Sequence, residues 1–128
     1  MEKLLMNFLK THKLALEESI LISFLNQNNC NEFDLMEYKA FKIPYEHFNS
    51  NRTTLLVSKA IFNLQANYEA ITEDNVYHYI SKFTEVNSQE WLRLICKLGF
   101  SFDTMKLQLK KLIEINNEIK VNERLKEL

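Results

Sequence analysis

At 128 residues, with 16 basic and 17 acidic side chains and a net charge of −1, the chain has room for one domain. It lacks the basic excess that nonspecific nucleic-acid binders use. It holds one glycine, Gly99, and one proline, Pro44, where average composition gives roughly nine and six. Tight β-turns and phosphate-cradling loops both draw on glycine, so a mostly-β fold and a Gly-rich nucleotide loop are excluded, and 46% hydrophobic content excludes intrinsic disorder.

The elements are predicted in chain order from apolar spacing. Residues 2–11 place Leu4, Leu5, Phe8 and Leu9 at helical intervals, and the polar Thr11-His12-Lys13 follows. Residues 14–26 repeat the pattern with Leu14, Leu16, Ile20, Leu21, Ile22, Phe24 and Leu25, apolar around most of the circumference, so this helix is expected to be central. Asn26-Gln27-Asn28-Asn29 should end it. A short helix is predicted around 32–40, with Phe33, Leu35, Met36 and Tyr38 as its apolar residues, then a turn from Pro44 through Phe48. Asn49 or Ser50 caps a helix to about Asn67, and Thr72 caps another to about Phe83. Asn87 with Glu90 forms a capping-box variant ahead of Trp91, Leu92, Leu94, Ile95 and Leu98, and Gly99 stands where a C′ glycine belongs.

Residues 103–128 contain no helix breaker, so a helix of about 25 residues and about 37 Å is expected. Met105, Leu109, Leu112 and Ile119 share one face, whereas Val121, Leu125 and Leu128 lie on another; the change falls near Asn116-Asn117. Either the helix bends there, as one half of a hairpin would, or its distal half packs on something other than the domain. The fold expected is all-α: a compact multi-helix bundle over 1–102 followed by a C-terminal helical extension over 103–128.

Little in the chain resembles catalytic chemistry. His12, His47 and His78 are far apart, with no second His or carboxylate at i+3 or i+4, so no metal site is expected. Glu17 and Glu18 are adjacent, point in different directions on a helix, and read as a solvated face. Ser19, Ser23 and Ser58 sit inside helical patterns, where hydroxyls bond back to carbonyls. Tyr45, Tyr68, Tyr77, Tyr79 and Trp91 lack interleaved basic residues and read as core or core edge, not as a base-stacking platform. Cys30 and Cys96 have no CxxC spacing; both are expected to be reduced thiols, Cys96 on an apolar helix face and Cys30 in a polar connector. The longest apolar run, residues 20–25, is too short to span a bilayer, and the N-terminus lacks the apolar stretch of a secretory signal. A cytoplasmic, non-catalytic chain without cofactor is expected, with no direct nucleic-acid or membrane partner.

One arrangement of hydrophobic patterns is familiar. It comprises "EESILISFL" at 17–25, Glu46-His47-Phe48, Ala60-Ile61-Phe62-Asn63-Leu64 and the Ile71-Thr72 step into the next helix. Over residues 14–98 it resembles the helical collar module shared by two bacterial replication proteins. These are the C-terminal helicase-binding domain of DNA primase and the N-terminal domain of the replicative helicase. His47 interrupts the acidic-Phe pair usual in the module. Residues 100–128 resemble the primase ending, a long helix leading to an element that contacts helicase. A GKS/T loop of a helicase core is absent, as are a CxxC and an acidic metal-binding cluster of a primase.

The resemblance implies a separately expressed domain that docks on the N-terminal collar of the hexameric replicative helicase. The change of stripe at Asn116 then assigns that contact to Ile119, Val121, Leu125 and Leu128, with Lys120 and Arg124 at the rim, and a weak homodimer is allowed. A helicase collar domain that self-associates, or a helical adaptor unrelated to replication, are the alternatives.

Overall fold

The computed structural model describes residues 2–25, 32–83 and 86–127, and for Glu2, Lys126 and Glu127 the backbone only. The fold is all-α. Its helices are α1 (Glu2–Leu25), α2 (Glu32–Ala40), α3 (Arg52–Ala66), α4 (Glu73–Ile80), α5 (Ser88–Ile95) and α6 (Phe102–Glu127), with a 3₁₀ turn at Tyr45–His47. The expected chain terminator of α1 at Asn26-Gln27-Asn28-Asn29, Cys30 and Leu128 lie outside the described residues.

Where two N-terminal helices were expected, α1 is a single helix of 24 residues. Thr11, His12 and Lys13 each cost only a fraction of a kcal/mol in a helix interior, too little to break one. The buried stripe also runs straight through them: Met6, Leu9, Lys13, Leu16 and Ile20 follow at intervals of three and four. From Ile20 to Leu25 every residue is buried, so the second half of α1 is central, as its all-round apolar pattern predicts.

The helix N-termini show how tertiary demands shift local signals. Thr72 caps α4 as expected, its Oγ1 accepting from the Asn75 amide at 3.1 Å. The cap of α3, however, is Asn51 and not Asn49 or Ser50. Its Oδ1 accepts from the Thr54 amide at 2.8 Å, and the Asn51 amide in turn donates to the Thr54 hydroxyl at 3.3 Å. Ser50 is withdrawn from capping because its amide and hydroxyl both donate to Glu17 on α1, while Asn49 Oδ1 accepts from Lys13. At α5 the Asn87 side chain accepts from the amides of Gln89 and Glu90 at 2.9 and 3.3 Å. The Asn87 amide donates to Thr53 Oγ1 of α3 at 3.3 Å, so a bond to the neighbouring helix replaces the expected return bond from Glu90.

Gly99 is also different from its expected role. Helix α5 ends at a cap on Cys96, and Gly99 has no positive φ. A Cβ at this position would stand 3.0 Å from Ser23 Cα and 3.3 Å from the Ile22 carbonyl oxygen, so the residue is small because the chain crosses the backbone of α1 here. Ser23 completes the crossing: its hydroxyl donates to the Ser19 carbonyl and accepts from the Phe100 amide, both at 2.8 Å. Cys96, expected on an apolar helix face, is exposed. The αL position that glycine usually takes is occupied instead by Tyr68, φ 58°, the one non-glycine residue with positive φ among the described residues. It closes α3 in a Schellman arrangement, with Tyr68 N–H on the Gln65 carbonyl at 3.2 Å and Glu69 N–H on the Leu64 carbonyl at 2.9 Å.

Helix α6 runs unbroken over 26 residues and packs against the others. Phe102, Met105, Leu109, Leu112 and Ile115 are buried in the same core as Ile20, Leu21 and Phe24, so the expected boundary at 102/103 cuts the first turn of a core helix. Around its start, Phe24, Tyr38, Phe41 and Phe102 form an aromatic cluster with centroids 5.0–6.4 Å apart, and Tyr38 Oη donates to the Phe100 carbonyl at 2.7 Å. Helices α1 and α6 are antiparallel. Ser23, near the end of α1, meets Gly99-Phe100 where α6 begins, while Glu17 reaches Ser50 and Asn116 reaches His47, three residues away in the same connector.

Candidate functional site at the open end of the α1–α6 pair

The two long helices extend past their neighbours at one end. Counted along the antiparallel pair, residues 3–9 of α1 lie beside roughly residues 115–121 of α6. Here Met6 and Leu9 are buried on α1 and Ile115 and Asn116 on α6, with Ile119 half-buried against the core. Asn116, at the expected change of face, is held by the Tyr45–His47 turn: its Nδ2 donates to the His47 carbonyl at 3.2 Å and lies 3.0 Å from His47 Nδ1.

Beyond Asn116 the outward side of α6 is uncovered. Val121 is 54% exposed and Leu125 62% exposed, and Lys120 and Arg124 are exposed. At 100° per residue these four share one arc of roughly 140° that begins at the edge of the buried face and turns away from it. The structure therefore brings together Lys120, Val121, Arg124 and Leu125. It sets Ile119 on the packing side, because the position three residues after Asn116 continues the core stripe, and Leu128 lies outside the described residues.

Sequence reasoning assigned Leu4, Leu5 and Phe8 to the bundle pattern, but they are 74%, 50% and 66% exposed. Phe8 stacks on His12, centroids 6.2 Å apart. They occupy an arc next to the buried Met6–Leu9–Lys13 stripe. The signal that could have found them was the width of the apolar arc in the first turns of α1, greater than one neighbouring helix covers. Exposed apolar side chains on both helices, together with the exposed Lys120, Glu123 and Arg124, give this end the composition of a protein-docking surface.

The carboxylates read as a solvated face are instead buried, and this corrects the expectation. Glu17 and Glu18 have side chains 0% and 4% exposed because α1 is enclosed on more than one side, so residues 100° apart both meet protein. Glu17 accepts from the Ser50 amide at 3.1 Å and from its hydroxyl, with Lys13 Nζ at 3.6 Å. Burial pushes its pKa above the ordinary 4.5, and the bonds from Ser50, the Lys13 charge and the Thr54 hydroxyl offset this only in part. Glu18 takes Arg93 Nε at 2.9 Å and Lys97 Nζ at 3.2 Å, tying α5 to α1. These are two separate clamps, each with its own cations, and not an acid–base couple.

The remaining candidates are dispersed. His12 and His78 are exposed and His47 half-buried; among the described residues no three His, Cys, Asp or Glu side chains are grouped to hold a metal ion. Ser23 and Ser58 bond back to the carbonyls of Ser19 and Leu55, at 2.8 Å each. Trp91 is buried beside Tyr77, and Tyr45 packs on Phe62, whereas Tyr68 departs from the core-edge expectation and is 97% exposed. Among the described residues no helix is long and apolar enough to cross a membrane. Comparison of the chain with protein-family models, curated proteins and solved structures found no match.

Proposed function

We propose that this chain is a non-catalytic interaction domain of the DNA-primase helicase-binding type, which docks the open end of α1–α6 onto the N-terminal collar of a hexameric replicative helicase. The observation that carries the reading is the uncovered arc of Lys120, Val121, Arg124 and Leu125 on α6, to which α1 adds the exposed Leu4, Leu5 and Phe8. A helix pair with such a face fits recognition by helix packing, the apolar side chains supplying affinity and the Lys and Arg rim orientation. The collar-module resemblance over 14–98 supplies the partner class.

Light scattering after size exclusion, with the chain alone and then mixed with the replicative helicase of its own organism, tests the reading. A larger complex is expected with the native chain, weakened at least tenfold by Leu125→Asp and by Phe8→Asp, both of which leave thermal unfolding close to native. An intact complex with either variant would remove that helix from the contact. A dimer of the chain alone, with no complex, would favour a helicase collar domain.

A further inference from the structure

A second surface lies away from the α1–α6 end, where the C-terminus of α2 meets the C-terminal half of α3. A hollow of about 380 Å³ there is lined by Lys39, Ala40, Lys42, Phe62, Gln65, Ala66 and Tyr68. An adjoining hollow of about 290 Å³ shares Lys39, Gln65 and Tyr68 and continues to Glu69, Ala70 and Ile71. Together they form a groove with Tyr68 standing over its middle.

The groove has a rigid floor. The Gln65 side chain donates to the carbonyls of Tyr38, at 2.9 Å, and Phe41, and accepts from the Ile43 amide at 3.2 Å. Its rim holds two exposed ammonium groups, Lys39 and Lys42, which enter no ion pair among the described residues. Tyr68 is the most telling wall. Its ring is 97% exposed, so it gains nothing from burial, yet its backbone holds a left-handed conformation that β-carbon residues resist. Asparagine tolerates that conformation better and is abundant in this chain, even at the preceding position, Asn67. An exposed aromatic kept at a strained position marks a contact surface.

We infer that this groove binds a short acidic segment of a partner protein, with carboxylates on Lys39 and Lys42 and an apolar side chain against Phe62, Ala66 and the Tyr68 ring. Charge sets the direction: Lys39 lines both hollows, Lys42 only the one that no carboxylate lines, so acidic residues occupy the Lys42 end and Glu69 disfavours them at the other. A single-stranded nucleic acid is disfavoured because two lysines, with no arginine and with Glu69 adjacent, make a poor phosphate track. The groove is separate from the proposed helicase contact, so each inference stands or fails alone.

Backbone and side-chain amide NMR of the full chain tests it, with three probes: the acetylated peptide Asp-Glu-Leu-Asp-Phe-Glu, its Asn/Gln counterpart and a twelve-nucleotide oligothymidylate. The acidic peptide is expected to shift Lys42, Gln65 and Tyr68 signals with a Kd below about 1 mM. The Lys39→Glu/Lys42→Glu double variant should weaken this at least tenfold. Tyr68→Gly should raise the melting temperature by relieving the backbone while weakening the peptide at least fivefold, a combination that a purely structural tyrosine does not produce. No shift at 5 mM peptide (about five times that limit), an equal response to the neutral peptide, tighter binding of the oligonucleotide, or undiminished binding by Tyr68→Gly would each overturn the assignment.

Discussion

The inner and outer halves of the α1–α6 pair both carry apolar side chains at helical spacing, more densely in the inner half, and those side chains meet opposite fates. In the inner half, Ile20–Leu25 of α1 and Phe102, Met105, Leu109 and Leu112 of α6 are buried in the core, and at the crossing Gly99 has no free room for a Cβ. In the outer half one stripe of each helix is covered, while Leu4, Leu5, Phe8, Val121 and Leu125 stay in solvent. Apolar spacing alone does not distinguish burial in a core from presentation of a surface; the number of neighbours does. The junction between the halves is polar, marked by Lys13 and Glu17 on α1 and Asn116 on α6, each bonded into the connector at residues 47–50.

The contrast is sharpest in truncations. Leu112→Ala removes a fully buried side chain and is expected to cost about 3 kcal/mol, whereas Leu125→Ala should stay within about 0.5 kcal/mol. Urea unfolding of both variants measures this directly, and comparable losses would mean that the outer half is packed after all. A smaller effect is expected at the crossing. Gly99→Ala sets a methyl against the Ser23 backbone and should cost about 1–3 kcal/mol, since the neighbour is main chain and cannot rotate away. A neutral result there would show that the α5–α6 connector yields instead.

The smallest effect concerns the junction and depends on pH. An acid whose folded pKa is raised supports the fold fully below its unfolded value near 4.5, and that support is lost as pH rises through the folded value. Glu17→Gln keeps an acceptor for the Ser50 amide and removes the buried charge. The melting temperature of the variant relative to the native chain should therefore climb as pH is raised from 4.5. Parallel pH profiles for the two proteins would show that the carboxylate at the junction titrates normally.

Much of this was legible from residue order. Scarcity of glycine and proline with 3.6-residue periodicity is a local property, so the helical class and the Thr72 and Asn87 caps could be read without a fold, whereas the sequence left open whether the final helix bends near Asn116. Where local signals competed for the same group, reading failed: Ser50 looked like a cap, but the buried Glu17 carboxylate outbids the helix end for its donors. Of the candidate surface, the distal arc of α6 was legible as a change of stripe, while the α1 contribution was not, because nothing in Leu4, Leu5 and Phe8 states how many helices will cover them.

The sequence by itself determined the all-α class, the order of the helices and the apolar stripes, since backbone propensity and side-chain spacing act over a few residues. Only the tertiary structure decided that Glu17 and Glu18 are interior clamps and that Gly99 is a crossing point. It alone placed Tyr68 in full exposure and left one end of the long pair uncovered. Burial of a charge, close approach of two backbones and exposure of an apolar arc all depend on which distant elements arrive beside a residue.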